Sequence, residues 1–503
     1  MKLAALCLLA AACGGNDHFV VVTVDARPAV HDAAQLSISL SNAGSMLTQT
    51  LALAGQPFPV TFSVDTGGRA GDLTLTVDAL DSDGTTVGAG QTTAPLTGDT
   101  ASVLLDGADF VVNSDFPGDQ FPSDDFESNG NALAVETGGL WTAAFRTGCD
   151  TPCNIYARRF DATGAAVTTT AGAGTGAIPM STTGIDESST PAIAGAGANN
   201  ILVWDAFDST GTALGVACRS LDAQGATNAF EETIEATDFD DVVAVAGLAS
   251  GNFVASWQDT SKGEMHTAIV TPDCSVQGGI AVVATGSPRG SSVTTDANRT
   301  LYVWEIDGTP HYRLASATGS FVTPALTLAV PSGDESVAYL RAAPAGAGFW
   351  IVTRWENTND DGATAGHLDL YKIDEAGNIL TGPITISMRS GSDSFSSDDS
   401  FGVAAQADGS MLTVWSTCGT FADGDGCAVL GHFVAADGTV ADGDDVVLPT
   451  TTKGDQTKPS VAALPGGAYV AIWSDASAAA PDIAGLAARA RIIYPPGDSS
   501  SAR

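Results

Sequence analysis

From residue 139 onward one pattern of positions returns seven times: a small or polar turn, an unbroken apolar run and a closing aromatic. The copies occupy 139–145, 198–204, 251–257, 298–304, 348–355, 409–415 and 467–473. Their aromatics, Phe145, Trp204, Trp257, Trp304, Trp355, Trp415 and Trp473, lie 59, 53, 47, 51, 60 and 58 residues apart. A period near 50 suits a four-stranded propeller blade, which needs roughly 40–50 residues. Runs such as Ile201-Leu202-Val203-Trp204 and Leu301-Tyr302-Val303-Trp304 are apolar on both faces. A strand needs this when its sheet packs against a neighbour on either side. The repeat therefore predicts a seven-bladed β-propeller.

Before the repeat the pattern changes to alternation. The segments 19–24, 36–40, 47–53, 60–64, 73–80 and 102–105 place apolar residues at every second position, as in Leu73-Thr74-Leu75-Thr76-Val77, with turns at Gly67-Gly68 and Asp81-Ser82-Asp83-Gly84. Short alternating strands at this spacing predict an immunoglobulin-like β-sandwich over 19–107, read as a spacer. Asp109-Phe110-Val111-Val112, followed by Gly118-Asp119-Gln120, parallels Asp445-Val446-Val447-Leu448, followed by Gly454-Asp455-Gln456. The first of these reads as an outermost strand lacking its own blade, whereas the last blade stops after three strands near Ile493. Residues 109–113 are thus expected to complete blade seven and remove its open edge. The predicted fold is all-β: an N-terminal β-sandwich, then a seven-bladed β-propeller at 108–496 closed by a strand from before blade one, with 497–503 a disordered tail.

The third strand of most blades ends in an Asp-x-x-Gly turn, as at Asp161-Ala162-Thr163-Gly164 and Asp374-Glu375-Ala376-Gly377. In such turns Asp bonds its own backbone and Gly supplies positive φ, so these carboxylates are expected to be structural. Over 108–496 the chain resembles the repeat propellers of secreted and surface-anchored bacterial proteins. That resemblance implies an architecture and brings no catalytic residue with it. The chain has neither the tryptophan-aspartate repeat signature nor the Ser-x-Asp-x-Gly-x-Thr-Trp box of sialidase-type propellers.

Residues 1–13 carry one positive charge and a ten-residue apolar run, too short to span a bilayer and suited to a secretory signal. Ala10-Ala11-Ala12-Cys13-Gly14 resembles a bacterial lipobox, departing from it at Ala10, where leucine is usual. The resemblance implies removal of 1–12, lipid on Cys13 and a tether at 13–18. With Gly14 after the cysteine it also implies an outer-membrane lipoprotein facing the periplasm or the cell surface; simple secretion is the alternative.

Charge narrows the partners. With 58 Asp and Glu against 20 Lys and Arg, the net charge of −38 opposes binding to nucleic acid or an anionic membrane surface. The lipid would then be the only membrane contact, and the expected state is a monomer.

Of the cysteines that remain after processing, Cys149 and Cys153 flank a turn in blade one, and Cys418 and Cys427 flank the corresponding loop in blade six. Each pair is expected to staple its own hairpin in an oxidising compartment. Cys218 and Cys274 fall in adjacent blades and either bridge them or stay apart. His266, His311, His367 and His432 sit near the start of the third strand in consecutive blades, too far apart to share one ion. Together with Arg158, Arg219, Arg313 and Arg491 they read as partners for an acidic inter-blade surface. Three loops around blades five and six carry Asp360 and Asp361, then Asp393, Asp398 and Asp399, then Asp423 and Asp425. These loops are expected on one ring face, either as solvated surface or as the functional face, binding calcium, which takes roughly 6–8 oxygen ligands, or a cationic partner.

Catalytic signatures are missing: there is no Gly-x-Ser-x-Gly elbow, His-Glu-x-x-His pair or phosphate-binding Gly-x-x-x-x-Gly-Lys loop. The first functional reading is a lipid-anchored extracytoplasmic binding or scaffold protein for an unknown protein or glycan. The second is a propeller hydrolase or lyase acting on polysaccharide, whose paired carboxylates would be hidden among the many acids.

Overall fold

The computed structural model describes residues 7–8, 18–67, 69–113, 115–116, 118–122, 131–148, 154–169, 174, 176–181, 191–207, 212–228, 230–236, 240–330, 336–358, 364–389, 401–419, 424–440 and 445–496. Among the described residues all regular elements are strands. The chain divides into two compact units, one of residues 1–110, 163–165 and 491–503, the other of 111–162 and 166–490.

In the first unit the strands run in the order Cys7–Leu8, Val60–Asp65, Phe19–Ala26, Thr100–Gly107, Thr86–Pro95, Asp72–Leu80, Gln35–Asn42 and Ser45–Ala52. Alternation in sequence becomes alternation in burial: in Asp72–Leu80 the residues Leu73, Leu75, Val77 and Ala79 are buried and those between them are not. They meet Val20, Val22, Val24, Leu36, Ile38, Phe62, Val103 and Leu105 in one core. Each such side chain contributes about 1.5–3 kcal/mol on burial. The strand Thr86–Pro95 is absent from the sequence reading because Gly88 and Gly90 dilute its apolar pattern. Those glycines are required by packing: a Cβ on Gly90 would lie 2.3 Å from the Leu104 carbonyl oxygen, and one on Gly88 2.7 Å from Val30.

In the second unit seven sheets follow one another, each with the repeat's aromatic on its second strand. These second strands are Trp141–Thr147, Asn199–Phe207, Phe253–Asp259, Arg299–Ile306, Phe349–Thr358, Met411–Cys418 and Tyr469–Asp475. Phe253–Asp259 and Tyr469–Asp475 are buried throughout, as strands covered on both faces must be. The first strands form a closed circle. Leu133–Val135 neighbours Ala192–Ala196, followed by Asp240–Gly247, Arg289–Thr295, Ser336–Pro344, Phe401–Ala405 and Gln456–Ala463, and the last of these neighbours the first. The protein is thus an all-β chain with a seven-bladed propeller. The sheet of blade seven contains Gln456–Ala463, Tyr469–Asp475, Ala487–Ile493 and, as its outermost member, Phe110–Val111.

Two repeated contacts lock neighbouring blades. Arginines on third strands reach main-chain carbonyls at the outer edge of the preceding blade: Arg158 to Val112 at 2.8 Å, Arg219 to Met180 at 3.0 Å and Arg313 to Val283 at 2.9 Å. Burial pulls all three guanidinium pKa values down, yet a carbonyl lone pair suits a buried donor without adding a second charge. This corrects the expectation that these arginines serve acidic side chains. Their charge is felt by Asp115 and Glu231, while the hydrogen bonds that cross to the preceding blade go to backbone carbonyls, and Arg219 also donates to the Thr227 hydroxyl at 3.3 Å.

The second contact is made by the Gly-Asp-Gln repeat. Asp455 accepts the Cys427 N–H at 2.9 Å, and Asp119 accepts the Leu486 N–H at 2.8 Å, so each carboxylate holds the start of the preceding blade's third strand. Both bonds require glycine beside them. Gly426 and Gly485 have φ of +88° and +71°, and a Cβ on either would stand 2.3 Å from the carboxylate oxygen.

A disulfide joins Cys218 on the third strand of blade two to Cys274 in the turn after the third strand of blade three, across 56 residues of sequence. This settles the open alternative in favour of a bridge between blades. Its removal by Cys218→Ser with Cys274→Ser is expected to cost about 2–4 kcal/mol, read as a lower urea midpoint at unchanged slope. An unchanged midpoint would show that packing alone holds these two blades.

Candidate functional site

Along the axis of the ring lies a cavity of about 230 Å³ lined by the first strands, among them Asn131, Leu133, Thr294, Ala343, Val403 and Val461. The lining is mostly small and apolar because these strands must approach one another closely. First and second strands pair antiparallel, so first strands begin and second strands end at the same end of the ring.

At that end cations stand over aromatic rings. Arg146, opposite Phe121 in the sheet, lies 4.8 Å from the centre of its ring, and the Lys458 ammonium lies 4.7 Å from the same ring. In blade five Arg354, opposite Tyr339, is 5.3 Å from that ring and bonds Glu356 at 2.5 Å, while Arg341 is 5.5 Å from the ring of Phe401 in blade six. Burial pushes the Arg341 pKa down to about 10, so it stays charged at neutral pH. Such pairs are worth about 0.5–2 kcal/mol each, more when water is excluded.

Beside Phe121, Gln120 donates to Asp482 at 2.6 Å. Burial raises the Asp482 pKa, against the pull of its hydrogen bonds and of Arg489. Asp475 is held by Arg489 at 2.9 Å and by Gln456 at 3.3 Å. Positive charge, aromatic faces and one carboxyl with raised proton affinity thus share this end of the ring. Sequence reading missed the group because its members come from different blades. The one available signal is that Phe121 and Lys458 both stand just before the Pro-Ser that follows each Gly-Asp-Gln copy, one and two residues after the glutamine.

The predicted site residues fare unevenly. Cys418 and Cys427 face each other across the hairpin of blade six and are bonded, as expected. Cys13, Cys149 and Cys153 lie outside the described residues, as do Asp360, Asp361, Asp393, Asp398, Asp399 and Asp423. Asp425 is described, and its carboxylate accepts the Gly454 N–H at 3.2 Å. Among the described residues no group of three or more His, Cys, Asp or Glu side chains is placed to hold a metal ion. The Asp-x-x-Gly turns behave as expected: Asp222 accepts the Gln224 and Ala226 N–H groups at 2.8 Å each, and Asp374 accepts those of Ala376 and Asn378 at 2.9 and 2.8 Å.

The four histidines have separate partners. His367 sits 3.2 Å from Asp369 and His432 2.9 Å from Asp445, while His311 stacks on Trp304. His266 lies between Glu235 at 2.8 Å and Glu264 at 3.0 Å. Burial alone would lower its pKa, and nearby Lys262 adds to that, but the two carboxylates outweigh both and raise it. Its contribution to stability is therefore full below about pH 6.5 and is lost as pH rises through the higher folded-state value. Glu235→Gln should accordingly separate from the unsubstituted chain in melting temperature more at pH 5.5 than at pH 8.5. An equal or reversed difference would show that the pair is not charge-coupled.

No protein-family description and no curated protein sequence matches the chain. Solved structures of similar shape include the NanB sialidase of Streptococcus pneumoniae, at 10% identity and a TM-score of 0.40 over 96% of this chain and 95% of that one. A puromycin hydrolase is similar at 13% identity and 0.39 over 72% and 54%, and the Dos1 propeller at 10% and 0.31 over 71% and 70%. Likeness this distant says nothing of activity.

Proposed function

We propose that the chain is a lipid-anchored extracytoplasmic binding protein, in which an immunoglobulin-like sandwich at 19–107 separates Cys13 and the membrane from a propeller that residues 109–113 close. Its ligand, a protein or a glycan, sits at the end of the ring where first strands begin. The observation that carries this reading is the gathering there of Arg146, Lys458, Arg341 and Arg354 against Phe121, Tyr339 and Phe401, in a chain whose net charge is −38. These four cations are only 2–6% exposed and Arg354 is paired with Glu356, so it is their positive potential at this end of an otherwise acidic chain, and not a ready-made contact, that favours an anionic ligand.

The test is a screen of acidic and neutral glycans and of envelope proteins against the fragment from residue 16 onward, repeated with Arg146→Met and Lys458→Met combined. Saturable binding that the double substitution weakens about tenfold or more supports the reading. Binding that ignores both substitutions overturns the location.

One feature favours the second reading, a polysaccharide hydrolase or lyase. Asp482, with its raised proton affinity, bonds the residue next to Phe121 and has the character of a general acid. Turnover of an acidic polysaccharide that Asp482→Asn abolishes would establish it.

A further inference from the structure

Among the described residues the strand Ser45–Ala52 ends its sheet and pairs on one side only, with Gln35–Asn42. Edge strands are ordinarily protected by charge, proline or a bulge. This one reads Ser-Met-Leu-Thr-Gln-Thr-Leu-Ala, holds no charged residue and no proline, and keeps an unbroken register from Asn42↔Ser45 to Gln35↔Ala52. Every residue of it is exposed except Leu51, which is partly buried against the core. Met46 is 75% exposed and Leu47 41%.

The direction of its backbone groups follows from the turn. Ala43 and Gly44 have φ of 46° and 80°, which makes a two-residue hairpin loop whose closing pair, Asn42 and Ser45, exchanges hydrogen bonds. Leu53 likewise donates inward, to Ala34 at 2.9 Å. Odd-numbered residues thus bond within the sheet, and Met46, Thr48, Thr50 and Ala52 turn their N–H and C=O groups outward. The side chains of Leu47, Gln49 and Leu51 lie on the core side, opposite Leu40, Ile38 and Leu36.

The segment Leu47-Thr48-Gln49-Thr50-Leu51 reads the same in both directions. A two-fold axis relates identical patches, so each residue must tolerate its mirror position. Antiparallel pairing of two such strands centred on Gln49 places Thr48 opposite Thr50 of the second copy and Met46 opposite Ala52, and these are the outward-facing residues. Roughly eight backbone hydrogen bonds form in this register. Leu47 then meets Leu51 of the second copy at close, non-hydrogen-bonded positions on the core side, which extends the core across the axis. With no charge on the strand, this edge is spared the local repulsion that a net charge of −38 would otherwise bring.

We propose that Ser45–Ala52 is a homodimer edge, at which two copies of the chain join their sheets antiparallel about Gln49. The test is sedimentation velocity of the full chain up to about 100 μM, a range suited to a small interface. The unsubstituted chain should sediment as a dimer, and Thr48→Pro as a monomer, because proline removes an outward N–H and leaves the inner pairing intact. Thr50→Lys should also give a monomer, and an unchanged melting temperature in either variant shows that the fold is retained. Register is tested by oxidation. Gln49→Cys should crosslink to its own copy, since facing residues here lie about 4.5 Å apart at Cα, within disulfide reach. Met46→Cys should not crosslink above the unsubstituted chain, because its copies would be about six residues, or roughly 20 Å, apart. A chain that stays monomeric, a dimer that survives both edge substitutions, or equal crosslinking at the two positions overturns the proposal.

Discussion

Deleting residues 16–116 is expected to lower the melting temperature far more than deleting 16–105, by the equivalent of about 5 kcal/mol or more, because only the longer deletion opens the ring that we propose is closed by 109–113. The difference rests on a short stretch. Val112 is fully buried; its N–H donates to Ala488 at 2.7 Å, and its carbonyl accepts Arg158 at 2.8 Å. Asp115 accepts the Ala177 N–H at 2.7 Å. The Phe116 carbonyl accepts from Gln120 at 3.0 Å, and its ring packs tilted against Tyr156, centres 4.4 Å apart. One buried valine is worth about 1.5–3 kcal/mol and each hydrogen bond about 0.5–1.5. The loss also bares a sheet edge in a structure whose blades are stable only against their neighbours. Equal melting of the two fragments would sink the closure.

The propeller was legible because its driving constraint is one-dimensional. A strand covered on both faces must be apolar at every position, and such a strand recurs once per blade, so runs like Ile201-Leu202-Val203-Trp204 are visible without any knowledge of packing. The strand Thr86–Pro95 was illegible for the opposite reason. Its glycines answer to Val30 and Leu104, which are distant in sequence, and glycine carries no strand signal of its own.

Partner chemistry was harder still. The third-strand arginines recur as a set in the sequence, yet composition points them at carboxylates, which are abundant. The carbonyls they bond are at the blade edges, where a buried guanidinium can be satisfied without a second desolvated charge. The cations over Phe121 belong to blades one and seven, some 300 residues apart in sequence between Arg146 and Lys458, and only closure of a ring makes them neighbours. A disulfide obeys the same limit: the sequence could offer Cys218 and Cys274 as candidates, but their proximity comes from the stacking of blades two and three.

Glu136→Ala should be the most damaging single substitution in the interface between blades one and two, at a cost of about 3–5 kcal/mol. Glu136 and Arg159 form an ion pair of 2.5 Å, with side chains only 2% and 1% exposed. The other carboxylate oxygen accepts Asn200 of blade two at 2.7 Å, and Arg159 donates across the same boundary to the Ala223 carbonyl at 3.0 Å. Alanine at 136 would leave a guanidinium buried without its counter-charge and Asn200 with only the longer bond to the Thr142 hydroxyl, at 3.3 Å. The pair itself need not be strongly stabilising, since removing two charges from water costs nearly what their attraction returns. Glu136→Met combined with Arg159→Met should therefore recover most of the loss, because both charges leave together. A double-mutant cycle by urea unfolding separates the two statements: a large coupling with a mild double variant is expected. If Glu136→Ala alone costs less than about 1 kcal/mol, water reaches Arg159 and the boundary between these blades is looser than its burial implies.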